Sequence, residues 1–180
     1  MQRKILLILS VCAFLLTGVS AVFAQEFSAD MVSRMGNQTM TARIFVGKDK
    51  VRMEMPESTM IIRNDKKVSW MIMPTEKMFM EQPIDISKAP KTAKKFEGEL
   101  ERKSLGNETV DGHQTEKFLV VYTEGKKTVS VYQWIKDDTI PVKIEAVDGT
   151  WTLEYKNLKV GPPADDLFEP PVGYEKMTMP

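Results

Sequence analysis

From Phe27 to Val160 the chain repeats short apolar alternations broken every few residues by polar turns, and this period of two excludes most folds. Phe27, Ala29 and Met31 share one parity, as do Met40, Ala42, Ile44 and Val46, before Gly47-Lys48-Asp49-Lys50 turns into Val51, Met53 and Met55. Runs at 60–63, 68–73 and 78–81 follow, joined by Asn64-Asp65-Lys66-Lys67 and Pro74-Thr75-Glu76-Lys77. Six strands in one antiparallel meander are therefore expected. Further strands are expected at about 102–105, 114–122, 128–135, 139–147 and 151–160, with turns at Glu124-Gly125-Lys126 and Asp148-Gly149. The fold class is mainly β (α+β): a curved antiparallel half-barrel of about eleven strands.

Between the two strand series the grain changes. Ala89, Ala93, Phe96 and Leu100 recur at helical spacing, with Lys88, Lys91, Lys94 and Lys95 on other faces. A short amphipathic crossover helix, or lid, is expected over 84–101. After residue 160, Pro162-Pro163 and Pro170-Pro171 predict an extended tail over 161–180, held by Leu167, Phe168 and Tyr174.

Gln2, Arg3 and Lys4 precede an apolar run that ends at Val22-Phe23-Ala24, so residues 1–24 read as a cleaved secretory signal peptide and 25–180 as a single domain. The lone cysteine, Cys12, lies inside that run, which leaves the exported domain without disulfides or thiolate chemistry. The formal charges balance at 25 basic and 25 acidic residues, and loss of Arg3 and Lys4 leaves a slightly acidic domain. Such a domain lacks the positive field that nucleic acid rewards. No transmembrane segment is expected after signal removal.

Methionine is the unusual component. Strand alternation sends Met53 and Met55, Met71 and Met73, and Met78 and Met80 to one side of their strands in pairs, while Trp70 and Ile72 make the other face of their strand apolar as well. Neither face there can be plainly solvated: one meets the core and the other a helix, a ligand or a cavity. Three readings are open. Flexible thioethers suit a wall that adapts to an apolar guest; they also fill ordinary cores; and they are soft ligands of the kind copper(I) takes. The candidate wall comprises Met53, Met55, Trp70, Met71, Met73, Met78 and Met80, with Ala89, Phe96 and Leu100 as a candidate lid.

No catalytic arrangement accompanies them. His113 follows Asp111-Gly112 in a turn, Asp137-Asp138 and Asp165-Asp166 are adjacent pairs whose side chains diverge, and no nucleophile elbow, phosphate loop or metal-ligand spacing occurs. The chain is expected not to be an enzyme and to hold no cofactor or resident metal.

The stretches Lys50-Val51-Arg52-Met53-Glu54-Met55, the hairpin from Ile62 to Trp70, and Pro74-Thr75-Glu76-Lys77-Met78-Phe79-Met80-Glu81 resemble a family of exported bacterial proteins related to the outer-membrane lipoprotein-sorting (LolA/LolB-like) superfamily. Trp134, Ile140-Pro141-Val142-Lys143, the run from Tyr155 to Gly161 and the run from Leu167 to Tyr174 resemble that superfamily's closing pattern. The resemblance implies a half-open barrel around an apolar concavity, a periplasmic location, and a lipid or lipoprotein acyl chain as partner. No residue role is carried over from it. The expected function is non-enzymatic binding or carriage of an apolar ligand, with a cell-envelope protein-interaction module as the alternative and methionine-based copper(I) binding third.

Overall fold

The computed structural model describes residues 25–85 and 95–177. One antiparallel meander comprises β1 (Phe27–Met35), β2 (Gln38–Gly47), β3 (Lys50–Glu54), β4 (Thr59–Arg63), β5 (Val68–Met73) and β6 (Met78–Pro83). A second comprises β7 (Glu99–Val110), β8 (His113–Glu124), β9 (Lys127–Lys136), β10 (Ile140–Ala146) and β11 (Trp151–Val160). Pairing of β1 with β11 fuses the two into a single open, curved sheet, and β12 (Glu175–Lys176) adds in parallel to β6, so the order is β12-β6-β5-β4-β3-β2-β1-β11-β10-β9-β8-β7.

The turns follow their residues. Between β7 and β8, Asp111 (φ 47°) and Gly112 (φ 77°) both take positive φ, as a two-residue hairpin with the sheet's natural twist requires. Curvature enters where pairing slips. The β1–β11 register shifts between Ser28 and Asp30; opposite them Asn157 takes φ 52° and donates to the Asp30 carboxylate at 2.7 Å.

The main core collects on one face near the β1–β11 seam: Phe27, Met31, Ile44, Val46, Val51, Met53, Ile62 and Tyr155 are buried there. Burial pushes the Tyr155 hydroxyl up to about 12, so it stays neutral through the physiological range. Toward the β7 edge, Arg102 donates to Gln133, which is fully buried, and pairs with Glu99, so these polar groups enter the interior with partners.

Twelve strands are present among the described residues, in keeping with the expected count of about eleven. Two expectations need correction. The expected helix at 84–101 fails at its far end, because Glu99, Leu100 and Glu101 open β7, and β7 runs to Val110 where only 102–105 was expected. An edge strand buries little, so β7 is mostly charged and polar, and its register shift at Gly106 breaks the alternation that reveals strands. The centre of the expected helix, 86–94 with Ala89, lies outside the described residues. Finally, the tail is not uniformly extended: Asp165–Phe168 forms a 3-10 turn, and the chain then reaches β12.

That tail straps the face opposite the main core. Phe168 is fully buried with Phe45, Ile61, Trp70 and Ile72, and Leu167 and Tyr174 pack against the same group. Arg52 donates to the Leu167 carbonyl at 2.8 Å, and Arg63 to the Phe168 carbonyl at 3.2 Å. Arg63, itself buried, also pairs with Asp65 and Glu169, and Lys66 donates to Glu169 at 2.7 Å.

These pairings give the tail a pH dependence. The Arg63 hydrogen bond holds the Asp65 carboxyl below its ordinary value. For Glu169, burial works against ionisation, but the bonds from Lys66 and Arg63 outweigh it and the net shift is also downward. A carboxylate depressed in the folded state contributes stability that is complete above its unfolded pKa and is lost as pH falls through the folded value. The contribution of the strap is therefore expected to hold above about pH 4 and to fade below it. Urea midpoints measured between neutral and acid pH check this, with a shallower acid loss expected for Glu169→Gln.

Candidate functional site

Cross-strand register assembles the methionines. Residues directly opposite one another in paired strands share a face. Met53 pairs with Met60, Met60 with Met71, and Met71 with Met80, so four successive strands place methionine in one unbroken row, continued on β2 by Ile44. In the next row along β5 and β6, Met73 pairs with Met78. Met55, just past β3, packs against the same core cluster as Met53 and Met60, and so does Ile84, just past β6. On the other side of the row, Ile62 pairs with Ser69 and Ser69 with Gln82.

Burial falls off along the row. Met53 is 4% exposed and belongs to the core, whereas Met55, Met60, Met71, Met73, Met78 and Met80 are half-buried. The core grades outward into a patch of thioethers backed by sheet and uncharged at its register positions. Gln82 contributes a weak contact, its amide nitrogen 3.6 Å from the Met80 sulfur.

Trp70 departs from the expected wall. It pairs with Ile61 and Glu81 on the tail-covered face, is buried there, and donates its indole N–H to Glu81 at 2.8 Å. The cause is the pleat itself: adjacent residues point to opposite faces, so Trp70 and Met71 cannot line one surface. Phe96 and Leu100 also lie apart from the methionines in strand order, at the β7 edge. Phe96 stacks on Tyr122 with ring centroids 4.5 Å apart, and Leu100 is 65% exposed on β7. Met60 was the member missing from the sequence reading. Its signal was present in the hairpin lengths, since the short turns fix which residue of β4 opposes Met53 and Met71.

A cavity of about 310 Å³ lies away from this patch, at the β1 bulge, lined by Ser28, Ala29, Asp30, Arg43, Asn157 and Lys159. Five of its six lining residues are polar or charged, and none is a methionine. Among the described residues no group of three or more His, Cys, Asp or Glu side chains converges as a metal site, and no helix is long and apolar enough to cross a membrane.

Comparison with solved structures places the sheet in a known architecture. The crystal structure of MucB superposes with a TM-score of 0.58 at 12% identity, over 89% of this chain and 62% of that one. MucB in complex with MucA(peri) gives 0.57 at 15% identity, over 93% and 62%. The Pseudomonas aeruginosa MucA/MucB complex gives 0.56 at 13% identity, over 87% and 59%. The chain thus spans about 60% of the MucB chains, and the likeness is one of fold: the open curved sheet expected from the lipoprotein-sorting resemblance is the sheet observed. No curated protein matches by sequence. Residues 22–140 match the profile of the family described as Domain of unknown function (DUF4412), and the chain belongs to that family.

Proposed function

We propose that this protein is a non-enzymatic binding module of the bacterial envelope, exported to the periplasm, whose methionine face receives an apolar group such as the acyl chain of a lipid or lipoprotein. The observation that carries this reading is the registered row Met53-Met60-Met71-Met80, buried at one end and half-open at the other. Fully covering one exposed side chain of this size contributes about 1.5–3 kcal/mol, so several half-open methionines supply a useful affinity for an apolar guest. Flexible thioethers adapt to varied chain shapes, which favours breadth of ligand over sharp selectivity.

Displacement of a fluorescent fatty acid tests the reading. Met71→Asp or Met73→Asp, which put a charge where the guest would lie, are expected to weaken uptake by about tenfold or more. Met71→Leu, which keeps the apolar surface, is expected to retain it. Uptake that is absent in the unmodified protein, or indifferent to aspartate at both positions, overturns the proposal.

A second reading, a docking module for an envelope protein, draws support from the fold partner MucB having been solved in complex with MucA. The β7 edge suits it. β7 is the terminal strand at its end of the sheet, whereas β12 covers the other end. An extended segment of a partner could add to β7 through backbone hydrogen bonds. Hydrogen exchange slowed across 99–110 when a partner is added is the expected signature.

A further inference from the structure

We propose that the methionine face is also a soft-metal site, in which Met60, Met71 and Met80 bind one copper(I) ion through their thioether sulfurs. These three residues are successive members of one register row, on β4, β5 and β6. Each is half-buried, so the sulfurs are reachable from outside yet backed by the sheet. Directly opposed side chains on neighbouring strands stand close enough for flexible thioethers to converge. Met73 and Met78 form a pair one row away, within diagonal reach of the same centre.

The chemistry of the surroundings selects the ion. The neighbouring register positions carry Ser69 and Gln82, neutral residues, and no carboxylate, imidazole or thiolate stands in the row. The single histidine, His113, is on β8, near the opposite end of the strand order. Divalent borderline ions need imidazole, thiolate or carboxylate ligands, whereas a monovalent soft cation accepts neutral thioethers. The residue choice points the same way. Methionine loses more rotamer freedom on burial than leucine or isoleucine, so a row of it across successive strands is a poor way to build a plain core. What sulfur adds over a branched aliphatic side chain is a lone pair. The amide of Gln82, 3.6 Å from the Met80 sulfur, helps to orient that side chain.

The metal reading shares a face with the apolar one but does not depend on it, because leucine preserves apolar surface and removes sulfur. Silver(I), a redox-stable stand-in, is titrated into protein labelled at the methionine methyl groups and followed by NMR. Competition with a chromophoric copper(I) chelator under anaerobic conditions gives the copper affinity. Saturable shifts confined to Met60, Met71, Met80 and their neighbours Met73 and Met78 are expected, with the exposed Met35 on β1 unmoved. The double variant Met60→Leu/Met71→Leu, close to volume-conserving, is expected to bind copper(I) at least about tenfold more weakly. The single Met80→Leu variant, at a half-exposed site, gives the same direction of effect with little demand on folding. No methyl shift, shifts of equal size at Met35, or unchanged copper affinity in these variants overturns the proposal. Copper binding without fatty-acid uptake leaves this inference standing and removes the apolar reading alone.

Discussion

Phe168→Ala is expected to lower the stability of the protein by about 3–5 kcal/mol. The ring is fully buried, ringed by Phe45, Ile61, Trp70 and Ile72, and Lys50 stands 4.8 Å above its face. It also lies against Gly47, where an added Cβ would come 3.2 Å from the tip of the ring. A site so filled cannot collapse around a methyl group, so both the lost transfer energy and the cavity contribute. Because Phe168 is the deepest contact of the tail, its loss should also free β12 from β6, where Glu175 donates to the Lys77 carbonyl at 3.0 Å and Met177 to the Phe79 carbonyl at 2.8 Å. Urea unfolding measures the first effect, and hydrogen exchange at residues 78–83 and 174–177 the second. A change under about 1 kcal/mol would show that the strap is dispensable.

Arg63→Ala is the second large effect, expected at about 2–3 kcal/mol because it removes a buried guanidinium whose charge-assisted hydrogen bonds hold the tail, while the carboxylates left behind stay partly solvated. Arg63 is 8% exposed and pairs with Asp65 and Glu169 while donating to the Phe168 carbonyl. Removing it leaves two carboxylates and one carbonyl beside the tail without their main cation. Lys66 still reaches Glu169, which limits the damage on that side. Since Arg63 and Phe168 hold the same strap, the double variant is expected to lose less than the sum of the two singles. Additive losses in a double-mutant cycle would mean that the two residues stabilise separate parts of the fold. Neither substitution touches the methionine row, so uptake of an apolar probe by the folded fraction is expected to survive both.

The two meanders were legible along the chain because alternation and polar turns are local signals. Asp111-Gly112, Gly125-Lys126 and Asp148-Gly149 mark their hairpins by residue type alone. β7 was legible only in fragment: an edge strand leaves most of its side chains in water, and its sequence then resembles a linker. Trp70 looked like a wall residue because it is large, apolar and next to methionines. Sequence adjacency along a strand is what puts it on the other face.

What the sequence by itself determined was the class of fold, the alternation along most strands, and a surplus of thioethers in the first meander. Those follow from backbone geometry over spans of two to six residues. Only the tertiary structure decided that β1 pairs with β11, that the tail covers the Trp70 face, and that Met53, Met60, Met71 and Met80 fall into one row. Each depends on register between strands and on which face a distant segment buries, and these are set by the summed packing of the whole sheet, not by any local stretch.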